Sequence, residues 1–307
     1  MATPSRRVIS ENPIRMDAVI TYVDGNDPIW REAYRSRLGD GINGKHFRDW
    51  GTLKYLLRGI ETHLPFVRNV FLVVSGETQV PEWADRENLR IVMHRDIIPG
   101  EFLPVFNSTA IEMFLHRIPG LDEEFIYLND DFFPLRDCRP EDFFRDGKAG
   151  VSFQRHLFAS GLYKRHCRNC DRLAREASGL RPCVSFRRPQ HACAALLRSV
   201  CEEISSKEAE CIVASVSPVR REYNFNYYLF SDYAFYTGRT FEKRVSNKHF
   251  STAVASPDRV CSFIVSPDTD FACINDVNMP EEKFLVFRER LLEAFAQAFP
   301  SKSRFEL

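Results

Sequence analysis

Residues 17–30 read DAVITYVDGNDPIW, and the first half of that stretch decides how the chain folds. Residues 18–23 (AVITYV) are a short β-branched run that stops at Asp24-Gly25-Asn26-Asp27-Pro28, the pattern of a strand ending in a turn. Polar residues are thereby set at the carboxyl end of a strand, where open α/β sheets hold their ligands. Residues 125–128 (FIYL) repeat the pattern and stop at Asn129-Asp130-Asp131.

Working outward, residues 52–63 space Leu53, Leu56, Leu57 and Ile60 at helical intervals, with Lys54 and Arg58 on other faces. Residues 70–75 (VFLVVS) and 90–93 (RIVM) read as two more buried strands. Residues 109–117 predict a helix capped by Asn107 and Ser108 and ended by Pro119-Gly120. Strands alternating with helical patterns imply an α/β fold with a mostly parallel, three-layer sheet. Beyond residue 150 the pattern predicts a strand at 150–153, a cysteine- and arginine-containing loop, an amphipathic helix at 192–204 and a buried aromatic helix within 223–236. A strand at 271–275 (FACIN) ending in Asp276, and a helix over 280–299 with Pro280 in its first turn, close the chain. One domain is expected over 17–307, preceded by an N-terminal extension at 1–16 and carrying a loop and helical insertion at about 155–240.

The 307 residues are 44% hydrophobic and include 26 Phe, which suits a folded globule and excludes a disordered chain. Lys plus Arg and Asp plus Glu are 42 each, so there is no general attraction to nucleic acid or to an anionic membrane. Any phosphate binding must come from local cations. Residues 1–15 lack the apolar core of a signal peptide and no stretch reaches membrane-spanning length, so the expected location is cytoplasmic, with at most a peripheral association with a membrane-bound synthesis complex at the inner face of the cell membrane. The 9 Cys are then expected as reduced thiols. Cys167-x2-Cys170 with Cys183, completed by His166 or His191, is the exception: it has the residue types of a structural Zn²⁺ site, although Arg165, Arg168 and Arg172 suit a flexible basic loop equally well.

Asp130 and Asp131, two adjacent carboxylates leaving a hydrophobic strand, can hold Mg²⁺ or Mn²⁺ against a diphosphate; Asn-Asp-Asp also makes an ordinary turn. In Asp24-Gly25-Asn26-Asp27 the glycine lets backbone approach a ligand between carboxylates. Phe47-Arg48-Asp49-Trp50, with Lys54 and Arg58, can clamp phosphate near a helix start, or form surface ion pairs. His116 and Arg117 follow a helix whose other face is apolar, and His191 precedes a helix where it can meet substrate or zinc. Neither a Gly-x-Ser-x-Gly elbow nor a phosphate-loop or dinucleotide fingerprint is present.

Taken in order, these segments resemble the Stealth family of hexose-1-phosphate transferases, which includes bacterial capsule polymerases and the lysosomal-targeting GlcNAc-1-phosphotransferase. DAVITYVDGNDPIW (17–30) is similar to the first family block. Residues 47–133 are similar to the second nearly throughout, from FRDWGTLKYLLRGIETHLPFVRNVFLVVSGETQVPEW to LPVFNSTAIEMFLHRIPGLDEEFIYLNDDFF. RRPQHACAALLRSVCEEI and VRREYNFNYYLFSDYAF resemble the third block, and FACINDVNM the short fourth. Where members commonly carry a His near the position of Arg221, this chain has Arg220-Arg221-Glu222.

The resemblance implies a Rossmann-like, GT-A-like domain acting on a UDP-sugar donor and a glycan acceptor. The transferred group would be a hexose-1-phosphate, GlcNAc-1-phosphate in the expected case, with release of UMP. It implies metal or acceptor activation by Asp130 and Asp131, with Asp276 as a further metal ligand, and phosphate contacts from Arg48, Arg117, Arg220 and Arg221. Asp24, Gly25, Asn26, Asp27, Asp49, Lys54, Arg58, Asn107, Ser108, His116, Asn129 and Asn275 would line the substrate, and His191 would join the catalytic set. A metal-dependent glycosyltransferase that releases UDP, and a non-catalytic glycan-binding module, share many of these residue types.

Overall fold

The computed structural model describes residues 16–40, 47–276 and 279–307. Strand β1 (Met16–Thr21) is buried at every position, as suits a strand covered on both faces. Asp27 caps α1 (Pro28–Leu38), its side chain accepting the amides of Ile29 and Trp30, and Pro28 opens the helix where its missing N–H is not needed. Helix α2 (Leu53–His63) buries Leu53, Leu56, Leu57 and Ile60. It is followed by β2 (Val67–Val74) and β3 (Leu89–Met93), the short helices α3 (His94–Ile97) and α4 (Ser108–Glu112), and β4 (Glu124–Asn129). β1 pairs in parallel with both β2 and β4, and β2 with β3.

After Asp130 and Asp131 come β5 (Phe132–Pro134), β6 (Phe144–Arg145), β7 (Lys148–Val151), β8 (Phe153–His156), α5 (Gly161–Ala177), β9 (Phe186–Pro189) and β10 (Ala194–Leu197). Then α6 (Arg198–Lys207), α7 (Ala209–Ser215) and α8 (Tyr228–Tyr236) lead to β11 (Thr240–Glu242), β12 (Asn247–Ser251), α9 (Pro257–Val265), β13 (Phe271–Asn275) and α10 (Glu281–Ala298). The central sheet is five-stranded in the order β10-β4-β1-β2-β3, with β10 antiparallel to β4. The fold is therefore α/β with a parallel-rich central sheet, as the alternation of strands and helices predicts. A second, three-stranded sheet runs β12-β13-β5. Because β5 follows β4 after two residues, Asp130 and Asp131 are the joint between the two sheets.

Three local expectations change. The segment read as a cysteine loop is helix α5, which buries His166, Cys167, Cys170, Leu173, Ala174 and Ala177 at helical spacing; the arginines on its other faces hid that stripe. The helix expected over 192–204 begins instead as β10, because the apolar run Ala194–Leu197 completes the sheet edge before α6 starts. The span 155–240 thus contributes a strand to the central sheet as well as helices. The helix expected over 109–117 stops at Glu112 and resumes as a 3₁₀ turn at Leu115–Arg117. No helix among the described residues is long and apolar enough to cross a membrane.

The chain's end is tied to α2. Arg58 donates from Nε and Nη2 to Glu306 at 2.8 and 2.6 Å and from Nη1 to the Phe299 carbonyl at 2.7 Å. Side chains 11% and 5% exposed make this a sheltered bidentate pair. Arg58→Ala leaves the Glu306 carboxylate without its guanidinium in a poorly solvated place, and should lower unfolding free energy by ~2–3 kcal/mol, read from urea denaturation. The double replacement Arg58→Met/Glu306→Leu should recover part of that loss; a single variant as stable as wild type would show the pair to be idle.

Candidate active site

The parallel register fixes where the carboxylates emerge. Thr21 and Asn129 are partners at the carboxyl ends of β1 and β4, so Tyr22 and Asp24 leave the sheet at the same edge as Asp130 and Asp131. Asp49 joins them from the segment before α2. Its proximity is recorded electrostatically: burial, Asp131 and Asp49 together raise the Asp130 pKa to about 8. Burial raises Asp131 to about 6, against the thiol of Cys273, which donates to Asp131 Oδ2 at 3.4 Å. Asp49 is pushed up by burial and by Asp24, and held back by the Gly51 amide, Arg288 and Tyr22. The Tyr22 phenol is raised far above its ordinary value by burial and by Asp49, Asp24 and Asp130. Four carboxylates are gathered here, and Arg288 faces Asp49.

The second sheet holds the dyad in place. The Ile274 amide donates to the Asp131 carbonyl at 2.9 Å, and Cys273 and Phe132 are antiparallel register partners. The end of β13 therefore runs alongside Asp131, which brings Asn275 and Asp276 to the same region from the far end of the chain. Asp276 lies 3.6 Å from Arg48 Nε, and Arg48 also reaches Glu281 at 3.5 Å and stacks over Phe284. On the other flank, His191 sits edge-on to Phe132 with centroids 5.1 Å apart and places Nδ1 3.1 Å from the Tyr228 hydroxyl. Burial, with His249 next, lowers its pKa to about 4, so the ring is neutral at physiological pH.

Tyr127 links the edge to α4. Its hydroxyl lies 2.9 Å from Thr21 Oγ1, 2.7 Å from Asn129 Oδ1 and 3.3 Å from Glu112 Oε1. Glu112, also bonded by the Tyr227 amide at 3.2 Å, is raised by burial and countered by that amide and by Arg220. Arg220 in turn donates to Ser108 at 2.7 Å. Ser108, Glu112 and Arg220 thus form a polar group that Tyr127 ties to the same sheet edge.

Several residues expected to touch substrate are occupied in the fold. Asp27 is buried and spends its carboxylate on the α1 amides, Thr78 at 2.5 Å and Gln79 at 2.8 Å. Asn107 accepts Thr109 and donates to the Ser217 carbonyl and to Asn224, which leaves this buried amide nothing for a ligand. Arg58 anchors the chain's end. Lys54 lies over the Tyr55 ring, His116 packs edge-on to Phe230, and exposed Arg117 lies over its neighbour Phe114. Arg221 is exposed and contributes its carbonyl, which accepts from His166 Nε2 at 2.6 Å. Gly25 is required by contact: a Cβ there would sit 2.3 Å from the Phe47 carbonyl, while exposed Asn26 turns its amide to Asp24 Oδ1 at 2.8 Å. The expected zinc ligands also separate. Cys167 and Cys170 are buried in α5, Cys183 is exposed, and among the described residues they do not form a metal-sized group.

Tyr22, Glu112, Tyr127, Arg288, His249 and Cys273 also stand at this site, with no motif in the sequence to mark them. Tyr22 lies two residues before Asp24 inside the strand run. The others depend on pairings across 15 residues of sequence or more, such as Tyr127 with Glu112, Cys273 with Asp131 across 142, and Arg288 with the Trp50 carbonyl across 238.

A hard divalent cation fits this geometry. Asp131 Oδ1 is buried without a hydrogen-bond partner, and the neighbouring carboxylates raise one another's affinity for positive charge, the environment in which Mg²⁺ or Mn²⁺ takes oxygen ligands.

A family model described as Stealth protein CR2, conserved region 2, matches residues 46–151. The capsular polysaccharide phosphotransferase WcwK of Streptococcus pneumoniae is 31% identical over 95% of this chain and 99% of its own. An exopolysaccharide phosphotransferase of Streptomyces coelicolor is 30% identical over 98% of this chain and 34% of its own. Among solved structures, the galactosyltransferase LgtC with donor and acceptor sugar analogues aligns over 94% of this chain and 98% of its own, at a TM-score of 0.45 and 11% identity.

The raised carboxyls predict a pH dependence of stability in metal-free protein. A carboxyl whose folded pKa exceeds its unfolded value of about 4 keeps a proton in the native state that it loses on unfolding. Its contribution therefore declines as pH rises towards about 6 for Asp131 and about 8 for Asp130, and is flat above. Thermal unfolding of chelator-treated protein should show Tm falling across that window more steeply in wild type than in Asp130→Asn, with added Mg²⁺ restoring Tm most at the alkaline end. Identical slopes in the two proteins would remove Asp130 from the explanation.

Proposed function

This chain belongs to the Stealth family of bacterial capsular polysaccharide phosphotransferases, and on that premise we propose that it moves a hexose-1-phosphate, GlcNAc-1-phosphate in the expected case, from a UDP-sugar to a glycan hydroxyl with release of UMP. Its relatives are named capsular polysaccharide and exopolysaccharide phosphotransferases, which supports transfer of a phosphate-bearing group. The observation that carries the reading to this site is the carboxylate group at the joint of the two sheets, where Asp24, Asp49, Asp130 and Asp131 influence one another. Such a concentration of negative charge is costly unless a cation and a polyphosphate complete it.

The residues divide the work as follows. Asp131, with its partnerless Oδ1, would hold Mg²⁺ or Mn²⁺ together with Asp49 and Asp24; Asp276 would complete the set from the end of β13. The cation would neutralise the diphosphate oxygens as charge builds on them. Arg48 and Arg288, at the rim beside Asp276 and Asp49, and Arg220 with Ser108 on the opposite flank, offer guanidinium and hydroxyl donors for phosphate. The acceptor oxygen attacks the β-phosphorus of the donor, and the bond from that phosphorus to the α–β bridging oxygen breaks. UMP leaves with the bridging oxygen and its electron pair. The acceptor proton passes to a carboxylate oxygen of Asp130, since Asp131 has one oxygen engaged by Cys273. The product is a sugar-1-phosphate joined to the glycan as a phosphodiester.

Donor labelled at the β-phosphorus separates this chemistry from glycosyl transfer. Sugar-phosphate transfer must deliver the label into the glycan and leave UMP unlabelled, whereas cleavage at the sugar carbon would leave the label in UDP. Labelled UDP beside unlabelled glycan would refute the mechanism. With the same assay, Asp130→Ala and Asp131→Ala should each lower turnover by at least about a hundredfold, the scale of losing a preorganised electrostatic group, while far-UV circular dichroism stays unchanged.

A further inference from the structure

Beside the dyad, two side chains of the second sheet and His191, which the family resemblance places in the catalytic set, stand together without a part in the steps written above. His249 and Cys273 are register partners in the parallel pair β12 and β13, so they stand together on one face of that sheet. His191 joins them from the loop between β9 and β10, its ring 6.2 Å from that of His249 by centroids. One ligand atom of each, imidazole nitrogen or thiol sulfur, lies within 4.8 Å of the other two. Cys273 Sγ is also 3.4 Å from Asp131 Oδ2, which puts a carboxylate oxygen against the same cluster.

We infer that His191, His249 and Cys273, with Asp131 as fourth donor, form a site for a thiophilic divalent cation of the zinc type, distinct in chemistry from the hard cation that carboxylates favour. Two imidazoles, one thiolate and one carboxylate are a tetrahedral zinc donor set, and sulfur with nitrogen selects against magnesium. Ligands on such an ion, bonded at about 2.0–2.3 Å, lie roughly 3.5 Å apart. The cluster would thus contract by about 1 Å, within the reach of rotamer adjustment. His191 is already oriented by the Tyr228 hydroxyl at Nδ1, the kind of outer contact that fixes an imidazole for ligation through its other nitrogen. Exposed His249 gives the ion a way in, and buried Cys273 forms the floor. On binding, the Cys273 S–H bond breaks, the sulfur electron pair forms the bond to the ion, and the proton leaves to solvent; nothing is oxidised or reduced.

The two cation sites share Asp131. A zinc-type ion on His191, His249 and Cys273 draws that carboxylate away from the hard cation, so zinc would antagonise transfer. This consequence rests on the proposed activity, whereas binding does not.

The test uses the full chain, stripped with chelator, kept reduced with a phosphine, and titrated with Co²⁺ and then Zn²⁺. One Co²⁺ per chain is expected, with a thiolate-to-cobalt charge-transfer band that Zn²⁺ abolishes. Cys273→Ser should eliminate the band, His249→Ala and Asp131→Asn should each weaken Co²⁺ binding at least about tenfold, and Cys183→Ser should leave it unchanged. Absence of the band in wild type, or its persistence in Cys273→Ser, overturns the site. Should Cys273→Ser fail to fold, His249→Ala decides, because its position is exposed: wild-type affinity in that variant also overturns the site. Since the readout is absorbance rather than turnover, a failed transfer assay leaves this result standing.

Discussion

The joint at Asp130 and Asp131 governs the architecture. β4 ends inside a sheet buried on both faces, and within two residues the chain must begin β5 in a different sheet. The turn is held open by the bond from the Ile274 amide to the Asp131 carbonyl, which ties the joint to a strand some 140 residues later. Two carboxyl groups are consequently fixed side by side in a poorly solvated corner, where Asp131 and Asp49 raise Asp130 and Asp24 in turn raises Asp49. That arrangement lowers the stability of the empty protein, and its electrostatics are those of a place prepared for positive charge.

The surroundings distribute cations instead of surrounding the dyad with them. Arg48 is engaged by Asp276 and Glu281, and Arg220 reaches Ser108 on the opposite side. Arg288 is coupled to Asp49. A guanidinium placed directly between Asp130 and Asp131 would relieve their repulsion and remove the affinity for a metal. Holding the arginines at the rim, on Asp276, Glu281 and Ser108, leaves the carboxylates at the joint to raise one another. An overall net charge of zero is compatible with this because the fields are local.

How much of this could be read from the sequence follows from the range of the interactions. The ends of β1 and β4 were legible, because a β-branched run stopped by Asp-Gly or Asn-Asp is a local signal. So were β13 and α10. Helix α5 was not, since its buried cysteines are interrupted by arginines that also suit a loop. β10 was not, since Ala194–Leu197 is a short apolar run that fits strand or helix until its partner is known. At the site, Asp130 and Asp131 are legible as strand-end carboxylates, whereas the pairing of Arg58 is not, because its partner Glu306 lies 248 residues away. The caps made by Asp27 and Asn107 are illegible for a different reason: the residue types that bind ligands are also those that cap helices, and only the structure shows the amide they serve.

Cys273 illustrates the same limit and carries it into function. In FACIN it reads as a core thiol, one apolar-compatible residue in a buried strand. Two pairings alter its meaning: antiparallel to Phe132, which sets it beside the joint, and parallel to His249, which gives it a nitrogen neighbour. Neither pairing is encoded within ten residues of Cys273. The sheet therefore does more than support the carboxylates: it sets His249 and Cys273 beside Asp131, so that under the inferred site a zinc-type ion and a hard cation would compete for one carboxylate.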